Sequence, residues 1–482
     1  MTDTTYQYID GDWRTGTDDE DITVRNPAIP DDSLVTFSAA SREQAGEAIS
    51  AAADASDSWQ ETTPDEREAL LHAVADEVEA NRDDLAEVLT TEEGKPISSS
   101  RAEVGRTAEI FRYFAGDARR STGRTVPSND PGTVTYTFRE PLGVVALVTP
   151  WNFPIATPGW KLAPALATGN TVVFKPSTET PKIAKRLVEL IDAADIPDGV
   201  VNLVVGSGAT VGDELTTNDA VDGLSFTGST QVGTHIAETV ASRGIPIQTE
   251  MGGKNPLVVL PDADLEAAAD AAVAGAYGGT GQACTATSRL IVHTGVAEET
   301  IARVVDRAES LTIGPGMEDP DMGPAVSADQ DETNFEYVDV AETEGATLRT
   351  GGDRPSGFDS GYFIEPTVFT DVDPDMRIAQ EEVFGPVLAV LTVSSFDEAV
   401  TVANDVEYGL SASVFTSDMR RARQFTRRVD AGVIKVNGTT TGSDIQMPFG
   451  GMKASSSETH KELGQRGYEF YTHEKAVYRS DP

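Results

Sequence analysis

From Ser41 to Leu89 apolar residues recur at helical spacing between acidic ones, as in ALLHAVADEVEANRDDLAEVL, and this period predicts amphipathic helices. Glu93, Gly94, Lys95 and Pro96 punctuate the pattern, and a further helix is expected from about Ala102 to Arg119. The middle of the chain changes period. Short β-branched runs alternate with helical stretches at GVVALVTP (143–150), TVVFKP (171–176), VNLVVG (201–206), GLSFTG (223–228) and PIQTEMGG (246–253). A second alternation follows Asn255, with LVVL (257–260), RLIVH (289–293), FGPVLAVLTV (384–393), SASVFT (411–416) and GVIKVN (432–437) as its strands. Strands alternating with helices predict parallel α/β sheets covered on both faces, here as two units divided near residues 250–255.

Two segments fit neither unit: residues 121–140, with the alternating TVTYTFRE, and the C-terminal YEFYTHEKAVYR. Exposed period-2 strands must be paired or covered, so both are expected to serve association between subunits. There is no internal repeat and no low-complexity linker.

A chain of 482 residues with 39% apolar content can bury sizeable cores without a disulfide or a metal, and no metal site is expected. Charge changes the picture more. The 37 Lys plus Arg, only ten of them lysine, stand against 79 Asp plus Glu, a net charge of −42. Such a field repels nucleic acid and anionic lipid, so neither is an expected partner. The acidic excess is spread over nearly every segment rather than gathered in a tail, which is read as the surface of a halophile's protein. One cysteine excludes an intrachain disulfide framework. The start, MTDTTYQYIDGDWRTG, lacks the basic and apolar regions of a signal peptide, and no apolar run approaches a membrane span; a soluble, cytoplasmic protein is expected.

That cysteine, Cys284, lies in GGTGQACTATSR. A lone cysteine is more often an inert small hydrophobe than a nucleophile. The preceding GGTGQ, however, is a poor helix and a tight backbone able to bring main-chain N–H groups against a reacting atom, and a thiolate is the strongest nucleophile the chain offers. Glu250 closes PIQTE before two glycines; it reads as a solvated carboxylate, or as a general base where a strand leaves the first sheet. In TPWNFP (149–154) two prolines and two aromatics fix the backbone, which leaves Asn152 as a turn residue or as an oxyanion donor. FTGSTQVG (226–233) joins a strand to a helix, and its amides could cradle a pyrophosphate, although it is not the GxGxxG fingerprint. Lys175 would end a parallel strand, where a nucleotide ribose belongs.

Taken together, TPWNFP, KPSTETP, FTGSTQVG, EMGGKNP, GQACTATSR, EEVFGPV and MPFGGMK, in this order and over nearly the whole chain, resemble the aldehyde dehydrogenase superfamily. The resemblance implies an α/β fold: a modified Rossmann dinucleotide-binding domain (1–120 and 141–250), an α/β catalytic domain (251–450) and a small β oligomerisation element (121–140 and 460–482), in a homodimer or homotetramer. It implies that Cys284 attacks an aldehyde, that Asn152 and the Cys284 backbone N–H stabilise the oxyanion, that hydride passes to NAD(P), and that Glu250 activates the water that hydrolyses the thioester. Lys161 matches the family's lysine near Asn152. Lys175 and Glu382 match the residues that hold the two riboses, Phe384 flanks the nicotinamide, Gly228, Ser229 and Gly233 form the phosphate turn, and Pro150 and Trp151 line the cofactor channel. Gly450 and Gly451 are read as a bend between elements.

One departure bears on the cofactor. Members that prefer NAD commonly place Glu three residues after the ribose lysine; here that position is Thr178, which can donate to a 2′-phosphate where a carboxylate would repel it. NADP, or dual use, is therefore expected, although Glu179 could rotate in and restore NAD. GQACTATSR with VNGTTTGSDIQMPFGG looks most like the branch acting on α-ketoglutarate semialdehyde (2,5-dioxopentanoate), which usually carries Arg-Pro where this chain has Gly438 and Thr439. Relatives acting on succinate semialdehyde, glyceraldehyde or aliphatic aldehydes are the alternatives. An acylating enzyme is disfavoured by Glu250, and a non-catalytic descendant by the intact set of Cys284, Glu250, Asn152 and Lys175.

Overall fold

A computed structural model describes residues 4–120, 122–457 and 459–480. Residues 1–3, 121 and 481–482, at the limits of the expected domains, lie outside the described residues. The first sheet has seven strands, in the order Ile247–Glu250, Gly223–Thr227, Val144–Val148, Thr171–Lys175, Val201–Leu203, Gln7–Ile9 and Asp12–Arg14. The first five are parallel, and the two N-terminal strands add antiparallel. Register decides what this sheet presents: Thr227 lies opposite Glu250, Phe226 opposite Val148, and Val148 opposite Lys175. Glu250 and Lys175 therefore finish near-level at the carboxyl edge, where open parallel sheets bind ligands.

The second sheet also has seven strands, in the order Thr347–Thr350, Thr367–Thr370, Val387–Val393, Thr287–His293, Asn255–Val259, Ser411–Phe415 and Val433–Val436, all parallel except the first. Its run Leu257, Val258 and Val259 is fully buried, as expected of a strand covered on both faces. Only Met251–Lys254 separates the two sheets in sequence. That crossing is tied down by Met251 N–H donating to the Ser455 carbonyl at 2.9 Å and by Ser455 Oγ donating to the Gly252 carbonyl at 2.6 Å.

The helical stretch from residue 41 resolves into Arg42–Glu61, Pro64–Ala80 and Arg82–Glu93. Ser41 and Thr63 each form a reciprocal capping box, with Gln44 and Glu66, an arrangement that stabilises a helix start by about 1 kcal/mol. Gly94, at φ +100°, ends the third helix in the left-handed conformation, and a Cβ there would meet Pro27 and Pro324. The helix Ile97–Ala118 follows and packs on Ala156–Ala167. The two segments that fit neither sheet pair with each other: Thr133–Pro141 and Thr472–Ser480 run antiparallel in continuous register from Thr133↔Ser480 to Pro141↔Thr472. Among the described residues no helix is long and apolar enough to cross a membrane.

Candidate active site

Cys284 follows a left-handed turn, Gly279 to Gly281, in which Thr280 also has a positive φ of +61°. Gly279 and Gly281 have φ of +59° and +69°, and a Cβ on Gly281 would lie 2.3 Å from the Gly385 carbonyl oxygen. The cysteine is half-buried, and Asn255 Nδ2 holds its carbonyl at 2.8 Å. Burial pushes the thiol pKa up, and the carboxylates of Glu382, Glu250 and Glu462 push it further. A nucleophilic thiolate is expected in a positive or hydrogen-bonding neighbourhood; the charges that act on this sulfur are negative. A cationic ring or donor brought in with a ligand would favour the thiolate here.

Asn152 leaves the strand Val144–Val148 through Pro150 and Trp151 and is 5% exposed. Its Nδ2 donates to the Gln282 carbonyl at 3.0 Å, two residues before the cysteine. One amide hydrogen is thus committed to holding the Cys284 loop, and the second remains available to donate.

Glu250 is 2% exposed. Its Oε2 accepts from Gly451 N–H at 3.0 Å, while Oε1 is buried with no hydrogen-bond partner. Burial raises its pKa well above the usual carboxylate range and Glu462 raises it further, against the opposing Lys461 and Lys161 ammoniums. Such a carboxylate is a stronger base than a solvated one. Gly450 and Gly451 are more than a bend, because a Cβ on Gly450 would fall 2.2 Å from Glu250 Oε1.

Lys161, 0% exposed, donates to Ser225 Oγ at 2.7 Å and pairs with Glu462. Its polar partners are Ser225 and Glu462, and its charge acts on Glu250. Glu462 itself escapes a reading of the sequence. In KELGQR it looks like one more surface carboxylate, yet it is 2% exposed with an unpartnered Oε2.

The dinucleotide candidates meet at the carboxyl edge of the first sheet. The helix Thr230–Arg243 starts there, and Ser229 Oγ caps it by accepting from Val232 N–H at 3.4 Å. Gly228 N–H donates to the Glu250 carbonyl at 3.1 Å. A Cβ on Gly233 would meet Met251 Sδ at 2.5 Å, so the glycine lets this helix lie close to the sheet crossing. A helix N-terminus with bare backbone suits a pyrophosphate. Burial alone pulls the Lys175 pKa down to about 8, and among the described residues the Lys175 ammonium has only its neighbour's carbonyl, on Pro176, at 3.3 Å. Burial pushes Glu382 up to about 7; its Oε1 accepts from Gly253 N–H at 2.8 Å. Phe384, at φ +58°, meets Trp151 edge-on at 5.3 Å, and Pro150 is half-buried beside it in sequence. Thr178 is half-buried and Glu179 exposed. A lysine and a carboxylate with spare hydrogen-bonding capacity, beside a bare helix start, fit a dinucleotide.

A second group is not legible in the sequence. Lys95, 5% exposed, donates to Glu103 Oε2 at 2.7 Å and to the Asn152 carbonyl at 2.6 Å, while Glu103 Oε1 accepts from Ile155 and Ala156 N–H at 3.2 Å. Burial opposes the Lys95 charge, but Glu103 and Glu93 outweigh it and raise its pKa. The loop that carries Asn152 is therefore clamped by a buried ion network. Its only signal in the sequence is the Glu93–Pro96 punctuation.

Similarity to known proteins runs the length of the chain. An α-ketoglutarate semialdehyde dehydrogenase of Haloferax volcanii is 49% identical over 482 residues, covering 100% of both chains. A 2,5-dioxopentanoate dehydrogenase of Saccharolobus solfataricus is 44% identical, over 98% of this chain and 99% of its own. The crystal structure of a Staphylococcus aureus betaine aldehyde dehydrogenase in complex with NAD+ superposes with a TM-score of 0.95 at 38% identity, over 98% of this chain and 94% of that one. Residues 13–477 match the aldehyde dehydrogenase family, and the chain belongs to it.

Proposed function

We propose that the chain oxidises α-ketoglutarate semialdehyde to the dicarboxylate through a thioester on Cys284, with NADP favoured over NAD. The observation that carries the reaction is that Asn152 is hydrogen-bonded to the loop that leads into Cys284, while Glu250, with an undonated buried oxygen, acts on the same sulfur. The substrate rests on the names of the Haloferax and Saccharolobus relatives.

Bound NAD(P) supplies the hydride acceptor, and Lys175, Glu382, Thr178, Phe384, Trp151, Pro150, Gly228, Ser229 and Gly233 would hold it. The protein's own residues do the rest. Cys284 adds to the aldehyde carbonyl, and the free Asn152 amide hydrogen with the Cys284 backbone N–H takes the oxyanion, a contribution on the order of 10² to 10³ in rate. Glu250 then accepts a proton from water that attacks the thioester, and Glu462 with Lys161 sets the pH at which it can do so. No transfer to coenzyme A is required.

The dinucleotide-binding domain in this reading spans 1–120 and 141–250, and the catalytic domain 251–450. The ribbon of Thr133–Pro141 and Thr472–Ser480 joins subunits in a homodimer or homotetramer in the cytoplasm of a halophile. Other semialdehydes remain the second reading, since the Gly438 and Thr439 positions depart from the branch's usual pair. The test is a steady-state screen of carboxylated and neutral aldehydes with both cofactors in molar salt. The expected result is the highest kcat/KM for α-ketoglutarate semialdehyde with NADP, and a strong NAD preference refutes the cofactor assignment. Thr178→Glu is expected to lower kcat/KM for NADP at least about 10-fold relative to NAD, by placing a carboxylate beside the 2′-phosphate.

A further inference from the structure

The proposed substrate carries a carboxylate at the far end of its chain, and the site around Cys284 is itself acidic, with Glu250, Glu382 and Glu462 all acting on the sulfur. An anionic aldehyde needs a cation on its approach. Most arginines in this chain are already held by carboxylates or by backbone.

Arg106 gives one donor to a backbone carbonyl, has no carboxylate nearer than 3.8 Å among the described residues, and adjoins two segments tied to the site. It lies on the helix Ile97–Ala118, three residues beyond Glu103, so about one turn separates it from the carboxylate that clamps the Asn152 loop through Lys95 and the Ile155 and Ala156 amides. On its other side Arg106 Nη2 donates to the Ser443 carbonyl. That loop returns to the nucleophile: Thr440, three residues earlier, donates through Oγ1 to the Thr285 carbonyl at 2.7 Å, next to Cys284. Contacts from Asn152 thus lead to Glu103, one turn from Arg106, and contacts from Thr285, the neighbour of Cys284, lead to the loop that Arg106 holds.

The guanidinium is also under-used. Its nearest carboxylate is Glu109 at 3.8 Å, and the Glu109 side chain is 63% exposed, a pairing of little strength. Burial lowers the Arg106 pKa, against Glu109 and Asp444. Arg82 and Arg112 border the same open cleft of about 410 Å³, but they are held by Glu79 at 3.4 Å and Asp76 at 3.0 Å. Phe153, directly after Asn152, and Met447, on the Ser443 loop, are large apolar side chains 40% and 57% exposed. A guanidinium with donors left beyond the one given to Ser443 suits a carboxylate.

We propose that Arg106 receives the far carboxylate of the aldehyde and so selects carboxylated over neutral substrates. This rests on the substrate reading above. The test compares kcat/KM for α-ketoglutarate semialdehyde and succinate semialdehyde with that for pentanal, in the intact enzyme and in Arg106→Gln and Arg106→Lys, at one salt concentration. In R106Q the ratio of carboxylated to neutral kcat/KM is expected to fall at least about 30-fold, mostly through KM, as for truncation of a hydrogen-bonded charge pair. R106K should recover part of it, because it keeps the charge and loses the planar fork. An unchanged ratio, or an equal loss on all three aldehydes, overturns the proposal; should R106Q prove insoluble, an unchanged ratio in R106K overturns it equally. If the wild-type enzyme prefers pentanal, the substrate reading fails and this proposal with it. A wild-type preference for carboxylated aldehydes that survives in R106Q removes the arginine alone.

Discussion

Glu250→Gln separates the two halves of the proposed reaction. The substitution changes little in shape: the glutamine oxygen can still accept from Gly451 N–H, as Oε2 does at 3.0 Å, and the space left by Gly450 admits the amide. What it removes is the acceptor at Oε1, which has no donor and so is free to take a proton from water. A positioned general base contributes about 10² to 10⁴ in rate, or about 3 to 5 kcal/mol of barrier. Only hydrolysis of the thioester uses this base. Acylation should therefore run near its normal rate, with rapid release of one NAD(P)H per active site, and then turnover should fall by that factor. Stopped-flow absorbance of the reduced nicotinamide measures both phases. In the wild-type enzyme Glu250 must be ionised to act, and its pKa is raised, so turnover is lost as pH falls through a limb displaced upward from the ordinary carboxylate range. E250Q should lose that limb. Because it replaces a buried carboxyl with a neutral group, it should not lower the Tm. Cys284→Ala should show neither burst nor turnover. Normal steady-state turnover in E250Q, or slow turnover without a burst, would refute the assignment of Glu250 to deacylation.

Glu462→Gln should shift the same acid limb to lower pH, since the Glu462 charge raises Glu250. It should also destabilise the chain by about 3 kcal/mol in denaturant titration, because Lys161 at 0% exposure loses its counter-charge. In molar salt the Tm should be higher at pH 5.5 than at pH 7.5. Glu92 at about 8, Glu93 and Glu382 at about 7 and Glu250 all titrate above unfolded carboxylates, so their contribution is complete below the unfolded pKa and is lost as pH rises through the folded values. Lys175 at about 8 and Lys254 at about 7 act oppositely, gaining stability only above those values, so they do not reverse the trend in this window. Desalting should lower the Tm and the activity, and molar salt should restore them, because a net charge of −42 repels itself over a longer screening length in dilute buffer. An unchanged melting profile would remove the halophile reading.

The sheets were legible because buried parallel strands advertise themselves as β-branched runs, and Val144–Val148 and Asn255–Val259 could not be solvated. The strands Gln7–Ile9 and Asp12–Arg14 were not, since three residues carry no period and only the edge of Val201–Leu203 makes them strands. The residues of the site were found where chemistry is rare in the chain: one cysteine, or an asparagine fixed between prolines. They were missed where it is common. Among 79 acidic residues nothing local marks Glu462 or Glu103, because what sets them apart is burial made by contacts across 301 and 52 positions.

The same abundance gives the lysines their meaning. Of ten, five are buried: Lys95, Lys161, Lys175, Lys185 and Lys254. A compact ammonium on a flexible stem can point three donors at backbone and carboxylate oxygens inside a protein, whereas a planar guanidinium is larger and stays charged at any accessible pH. On the surface, where the chain presents acids and arginine pairs, salt screens whichever cation is present. Inside, screening is weak, and the ammoniums around the site are held by particular oxygens. Lys95 holds the Asn152 carbonyl, Lys161 holds Glu462 against Glu250, and Lys175 stands at the strand end proposed for the ribose. Surface charge is therefore free to follow the solvent while the site keeps its own, and a strongly acidic exterior is compatible with acid–base chemistry ordinary for the family. Arg106, proposed above to meet the substrate, answers to both environments, since it is half-buried and the carboxylate beside it is exposed.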